Sequence, residues 1–140
     1  MKSKHHRSGS EKDRIIERIS DFLLTRHKEI ISAYSFGSFL SSEVFSDIDL
    51  GLLLHKTPAE PMTYEINLES ELENSISHPV DIRILNKAPI SFCQAAVRGK
   101  VILDRDLNRR ADFENRVLKE YFDFSTFRRR YLAEVLNAPV

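Results

Sequence analysis

Tyr34-Ser35-Phe36-Gly37-Ser38-Phe39-Leu40-Ser41-Ser42-Glu43-Val44-Phe45-Ser46-Asp47-Ile48-Asp49-Leu50 joins two apolar runs and carries most of the chemistry this chain displays. The first run, residues 30–36 (IISAYSF), ends at Gly37-Ser38, and the second, residues 48–54 (IDLGLLL), begins between two aspartates. Short, nearly continuous apolar runs of this kind suit central strands covered on at least one face. A glycine after a strand lets the backbone approach a ligand closely, and the amides after it can cradle phosphate oxygens. Ser38 adds a hydroxyl donor to the same phosphates. Side chains alternate along a strand, so Asp47 and Asp49 project to one side while Ile48 points into packing. Two carboxylates on one face form an oxygen-rich site suited to Mg²⁺, and two such ions can serve both the attacking and the leaving oxygen in a displacement at phosphorus.

A third acid follows at Asp81, inside the otherwise apolar Val80-Asp81-Ile82-Arg83-Ile84. A lone carboxylate there is costly unless it is paired or metal-bound, and Arg83 lies two residues on, on the same face. Each piece has a plainer reading. Gly-Ser is commonly a turn, Asp-x-Asp a cap or turn, and Asp81 taken alone a structural ion-paired acid. The combination is more specific than its parts.

Working outward, residues 1–10 (MKSKHHRSGS) lack apolar periodicity and read as a flexible lead-in, His5 and His6 included. Ser10 is placed to cap a helix in which Ile15, Ile16, Ile19, Phe22 and Leu23 recur at helical spacing, fading near His27. Pro58 and Pro61 mark a loop and a second helix start, with Tyr64, Leu68 and Leu72 on one side and Glu65, Glu69, Glu71 and Glu73 making an acidic side. Residues 80–85 alternate as a half-buried strand; Pro89 opens a short helix through Val97, and Lys100–Leu103 make a last strand. Residues 108–137 are helical in pattern, with Ser125 or Thr126 placed for a break and second cap. This order predicts an α+β (mixed α/β) fold: a small mixed sheet of about four strands with helices packed on it, residues 11–140 forming one domain with C-terminal helices. The short link between the first two strands favours antiparallel or locally mixed pairing over a full crossover.

The totals restrict the function. Lys plus Arg and Asp plus Glu are 21 each, so zero net charge does not announce a bulk nucleic-acid or membrane binder. The single cysteine, Cys93, excludes an internal disulfide and fits a reducing cytoplasm. No apolar run reaches transmembrane length, and the basic N-terminus lacks a signal-peptide core. His55 and His78 read as surface or loop histidines, Cys93 as a small buried hydrophobe, Asp104 and Asp106 as a turn and helix lead-in, and Arg128-Arg129-Arg130 as a solvated helix side. Val117, Tyr121, Phe124, Phe127 and Tyr131 form an aromatic-rich stripe, explained first by core packing and, in its outer part, by a partner surface.

Gly37-Ser38, a loop and Asp47-x-Asp49 resemble the signature of polymerase-beta-type nucleotidyltransferases, and more narrowly the minimal nucleotidyltransferases of prokaryotes. Arg98–Asp106 and Phe113–Phe124 resemble the tail of the MntA-like antitoxins, so the resemblance spans roughly residues 30–133. It implies a polymerase-beta-like core and an enzyme, encoded with a HEPN-type ribonuclease toxin of the HepT kind, that uses ATP and Mg²⁺ to attach AMP to a toxin tyrosine and forms a hetero-oligomer with that toxin. It further implies that Gly37 and Ser38 hold the triphosphate, that Asp47, Asp49 and Asp81 bind the metal ions, and that Asp81 assists deprotonation of the incoming hydroxyl. The loop from Phe39 to Ser46 has eight residues, without Arg or Gly, where the family usually has about ten, often with Arg-Gly. Transfer to a small molecule such as an aminoglycoside, and a non-catalytic antitoxin acting by binding alone, are the alternatives.

Overall fold

The structure, a computed structural model, describes residues 5–6, 9–37, 39, 44–45 and 47–135. In chain order it contains β1 (His5–His6), α1 (Gly9–Arg26), β2 (Ile30–Phe36), β3 (Val44–Phe45), β4 (Ile48–Leu54), α2 (Pro61–Ile76), β5 (Val80–Ile84), α3 (Ile90–Val97), β6 (Lys100–Asp104) and α4 (Leu107–Val135). The main sheet has the order β5-β4-β2-β6. β2 is antiparallel to both β4 and β6, whereas β4 and β5 are parallel. This is the expected α+β arrangement, a four-stranded mixed sheet with helices on it.

β4 organises the two cores. Ile48, Leu50, Leu52 and Leu54 pack on one face with α1 (Ile15, Ile19, Leu23) and α2 (Leu68, Leu72, Ile76). On the other face Leu53 joins Tyr34, Leu85, Cys93 and Ala96 beneath α3, with Phe113 and Val117 from α4. Each such side chain contributes roughly 1.5–3 kcal/mol by leaving water. Cys93 is the expected small buried hydrophobe, its thiol donating to the Leu85 carbonyl and its pKa pushed up by burial.

The sheet edge at β5 is closed by side chains. The N–H groups of Val80, Ile82 and Ile84 donate to the carboxylates of Glu73, Glu69 and Glu65 at 2.9, 2.8 and 2.9 Å. The spacing matches because four helical residues rise about 6.0 Å and two strand residues about 6.6 Å. Three glutamates of the acidic side of α2 therefore serve the strand edge, and they occupy the donors that an exposed edge would offer to another chain. Glu71 instead meets His27 Nε2 at 2.8 Å.

Three local features differ from the sequence reading. His5–His6, assigned to the lead-in, pairs antiparallel with Val44–Phe45, and α1 starts at Gly9 rather than after Ser10; a two-residue strand has no periodicity to display. α4 runs from Leu107 to Val135 without a break at Ser125 or Thr126. No Gly or Pro lies in that span, and Ser or Thr amid good helix formers costs only a few tenths of a kcal/mol. Arg105 was not singled out, yet its guanidinium donates to the carbonyls of Leu23, Leu24 and Ile30 at 3.0, 2.8 and 2.9 Å, satisfying acceptors at the end of α1 and the start of β2. Asp106 is the expected lead-in: its carboxylate accepts from the Arg109 N–H at 3.1 Å and caps α4. Among the described residues no helix is long and apolar enough to cross a membrane.

Burial raises the pKa of Glu69, and nearby Asp81 and Glu73 add to the effect, while the hydrogen bond from Ile82 opposes it. A carboxyl with a raised pKa favours folding in its protonated form, so its contribution is lost as pH rises from the ordinary 4.5 through the elevated value. Glu69→Gln keeps an acceptor for the Ile82 N–H and should flatten this part of the stability–pH curve. Glu69→Ala should lower stability by about 1 kcal/mol across the range. Urea melts between pH 4 and 7 check both; parallel curves for wild type and Glu69→Gln would contradict the assignment.

Candidate active site

The two faces of β4 differ in how far they are covered. On the α3 side, Gly51 sits beneath Leu85 and Ala96; a Cβ there would lie 3.1 Å from the Leu85 methyls and 3.3 Å from Ala96 Cβ. Gly51 thus lets α3 settle onto the sheet. Phe36 and Phe92 meet edge to face at this boundary, with ring centroids 5.5 Å apart. Towards the start of β4, Asp47 and Asp49 are both partly exposed.

The register brings the sequence-chosen residues to this corner. Asp49 pairs with Asp81 across the parallel β4–β5 ladder and with Phe36 across the antiparallel β2–β4 ladder. Paired residues in adjacent strands share a face at a spacing of about 4.8 Å, so Asp49 and Asp81 stand side by side. Asp47 precedes Asp49 by two residues, and Ile48 between them is fully buried. Its N–H donates to the Pro79 carbonyl at 3.0 Å, which ties the start of β4 to the start of β5.

Gly37 closes the arrangement. Its φ is +80°, and a Cβ built on it would run into Oδ2 of Asp49. The backbone after β2 is therefore laid directly on the Asp49 carboxylate, in a conformation that L side chains disfavour. Ser38, the expected phosphate donor, lies outside the described residues. Phe39 was not singled out; it is fully buried in the α1–α2 core with Lys12 Nζ 5.5 Å from its ring centroid, and so anchors the chain just past Gly37-Ser38. Its sequence signal was an aromatic directly after Gly-Ser.

Arg83 Nε lies 3.5 Å from Asp81 Oδ1, with side chains 57% and 35% exposed. A pair this open is worth little to stability, so either partner is readily drawn to a ligand. Among the described residues no three acidic, histidine or cysteine side chains converge on one cation-sized position. Side-by-side carboxylates repel, and Asp81 leans on Arg83. The donors at the corner are nonetheless carboxylate oxygens, the type that Mg²⁺ takes, within a side-chain rotation of one another. His55 stands apart from it, its Nδ1 accepting from Arg109, whereas His78 is buried in the loop beside Pro79, whose carbonyl holds the start of β4.

Comparison with known proteins agrees with this fold. The family model for polymerase beta nucleotidyltransferases matches residues 17–108. No curated protein matches the sequence. Among solved structures, a toxin–antitoxin MntA–HepT complex aligns with a TM-score of 0.69 at 20% identity, covering 89% of this chain and 98% of the matched one. A Shewanella oneidensis complex of tri-AMPylated HEPN toxin with MNT antitoxin aligns with a TM-score of 0.70 at 21% identity, over 89% and 98%. A toxin–antitoxin complex with AMP-PNP gives 0.72 at 21%, over 86% and 98%. At these identities the likeness is one of fold. The match to the family model covers more than half of the 140 residues, from α1 to the start of α4, and the chain belongs to the polymerase beta nucleotidyltransferase family.

Proposed function

We propose that this nucleotidyltransferase transfers AMP from ATP to a tyrosine hydroxyl of a HEPN-type toxin, and that it acts in the cytoplasm as the antitoxin of that pair. The observation that carries the reading is the side-by-side register of Asp49 and Asp81 with Gly37 laid against Asp49. Support for the donor and acceptor comes from the aligned complexes, one with AMP-PNP and one with an AMPylated HEPN toxin.

In this reading Asp47, Asp49 and Asp81 hold Mg²⁺, which when bound neutralises phosphate charge and orients the reacting oxygens. Gly37 and Ser38 present backbone amides and a hydroxyl to the triphosphate. Asp81 accepts the proton of the incoming hydroxyl, with the Arg83 guanidinium beside it as a fixed positive charge. The incoming oxygen forms a bond to the α-phosphorus as the bond to pyrophosphate breaks. α3 and the Phe36–Phe92 contact form one wall and keep that side of the corner dry.

The test uses the protein, labelled ATP, Mg²⁺ and a HEPN-type toxin encoded beside it. Label is expected on the toxin and should disappear in Asp47→Ala/Asp49→Ala. Neutralisation of the toxin by that double variant would instead establish inhibition by binding alone, and label only on an aminoglycoside would establish small-molecule transfer. Gly37→Ala should cost about 1–2 kcal/mol of stability through its left-handed backbone and lower the transfer rate roughly 100-fold by displacing Asp49. Denaturant melts and initial rates check it, and a wild-type rate would remove Gly37 from the site.

A further inference from the structure

Among the described residues α4 buries only Phe113 and Val117. Beyond Val117 it carries large apolar side chains in the open: Leu118 and Phe122 on the far side, and Phe124, Phe127, Tyr131 and Val135, the last four 49%, 67%, 50% and 59% exposed. At 3.6 residues per turn these four fall with Phe113 and Val117 inside an arc of about 80°. One stripe therefore seals the core in the first half of α4 and continues uncovered in the second. The uncovered part lies outside residues 17–108, the span matched by the family model.

The charges beside this stripe select an occupant. Arg116, Glu120, Arg130 and Glu134 are all exposed, and they lie within about 80° of one another on the adjoining flank. Arg116 and Glu134 are each nine residues from Ser125, and Glu120 and Arg130 each five. A two-fold axis at the level of Ser125 would bring this flank against itself with these four charges each opposite a complement, while Asp123, on the same flank, would lie at the level of Phe127. Arg116 of one copy would face Glu134 of the other, and Glu120 would face Arg130. In the same register Phe124 of each copy meets the level of Phe127 in the other, so the rings interleave. The overlap from residue 116 to residue 134, about 28 Å long, begins at the turn of Val117, the last buried residue of the helix, and runs out along its exposed part.

We propose that the distal half of α4 docks on a second copy of this chain as an antiparallel helix pair centred on Ser125. Phe124, Phe127 and Tyr131 supply the apolar seam, and the Arg116–Glu134 and Glu120–Arg130 pairs set the register. Such a pair buries roughly 1,000 Å² in total, the small end of specific interfaces, so dimerisation should depend on concentration. The proposal is independent of the reading of the active site, since none of these residues lies at that corner.

Sedimentation equilibrium of the full chain between about 5 and 500 μM tests it over the micromolar range where a weak dimer would dissociate. Wild type should pass from monomer to dimer. Phe127→Glu should be monomeric throughout while keeping its helical circular dichroism, because Phe127 is 67% exposed and outside the core. Arg130→Glu should weaken the dimer at least tenfold by facing Glu120 with a like charge, and Glu120→Arg combined with Arg130→Glu should restore wild-type affinity within about threefold. A monomer at every concentration overturns the proposal, even if the helix binds a protein of different sequence. A dimer indifferent to the charge reversal, or not restored by the double change, overturns the register.

Discussion

The register of β4 between β2 and β5 is the constraint on which the rest of this molecule depends. With a side-chain period of two, a slip by one residue would turn Asp49 into the α1–α2 core and Leu50 out to the acidic corner. Four residues of β4 on one face are fully or almost fully buried, so the slip would expose that set together. The hydrophobic energy that fixes the register is thus the same energy that stands Asp49 beside Asp81 and beneath Gly37. No separate interaction is needed to align the carboxylates, and their mutual repulsion is small beside the burial that holds them.

How much of this could be read beforehand follows from how local each signal is. The apolar runs of β2 and β4 and the acid inside β5 are visible because strand periodicity is local, and the observed bounds of β2 and β4 match those runs. The carboxylate pairing was legible only as a possibility of topology: nothing in residues 47–49 or 80–84 says which strands adjoin, and the resemblance supplied that. Glu65, Glu69 and Glu73 read only as an acidic helix side because their partners, three N–H groups, belong to a backbone that carries no sequence signal. Gly51 carries no local sign of its role, because the reason for it, the approach of Ala96 and Leu85, is over thirty residues away. Arg105 hid for the same reason, since its acceptors are carbonyls at the end of another helix.

α4 illustrates a different limit. Its stripe reads first as core packing and in its outer part as a partner surface, but the pattern is the same on both sides of Val117 and does not mark where one gives way to the other. Only the dimensions of the domain divide it, because the body beneath α4 ends where the sheet and α3 end. A helical period reports that a face must be covered and cannot report by what. The division appears only when exposure is known: Phe113 and Val117 are 5% and 1% exposed, and Phe127 is 67% exposed.

The open corner follows from the cost of burying charge. Covering Asp47, Asp49 and Asp81 with a helix would strip their water without supplying counter-charge, a penalty of several kcal/mol per ion. Covering nothing would leave Leu53, Tyr34 and Leu85 wet. The fold resolves the conflict along the length of a single strand: Gly51 admits α3 over the apolar end, and at the acidic end Asp47, Asp49 and Asp81 keep partial exposure. Phe39, sunk into the opposite face, then anchors the chain just past Gly37, so the Gly37 side of the corner is held by buried surface while the Asp81–Arg83 side faces water. That asymmetry suits a group-transfer site, which must hold one substrate rigidly and admit the other from outside.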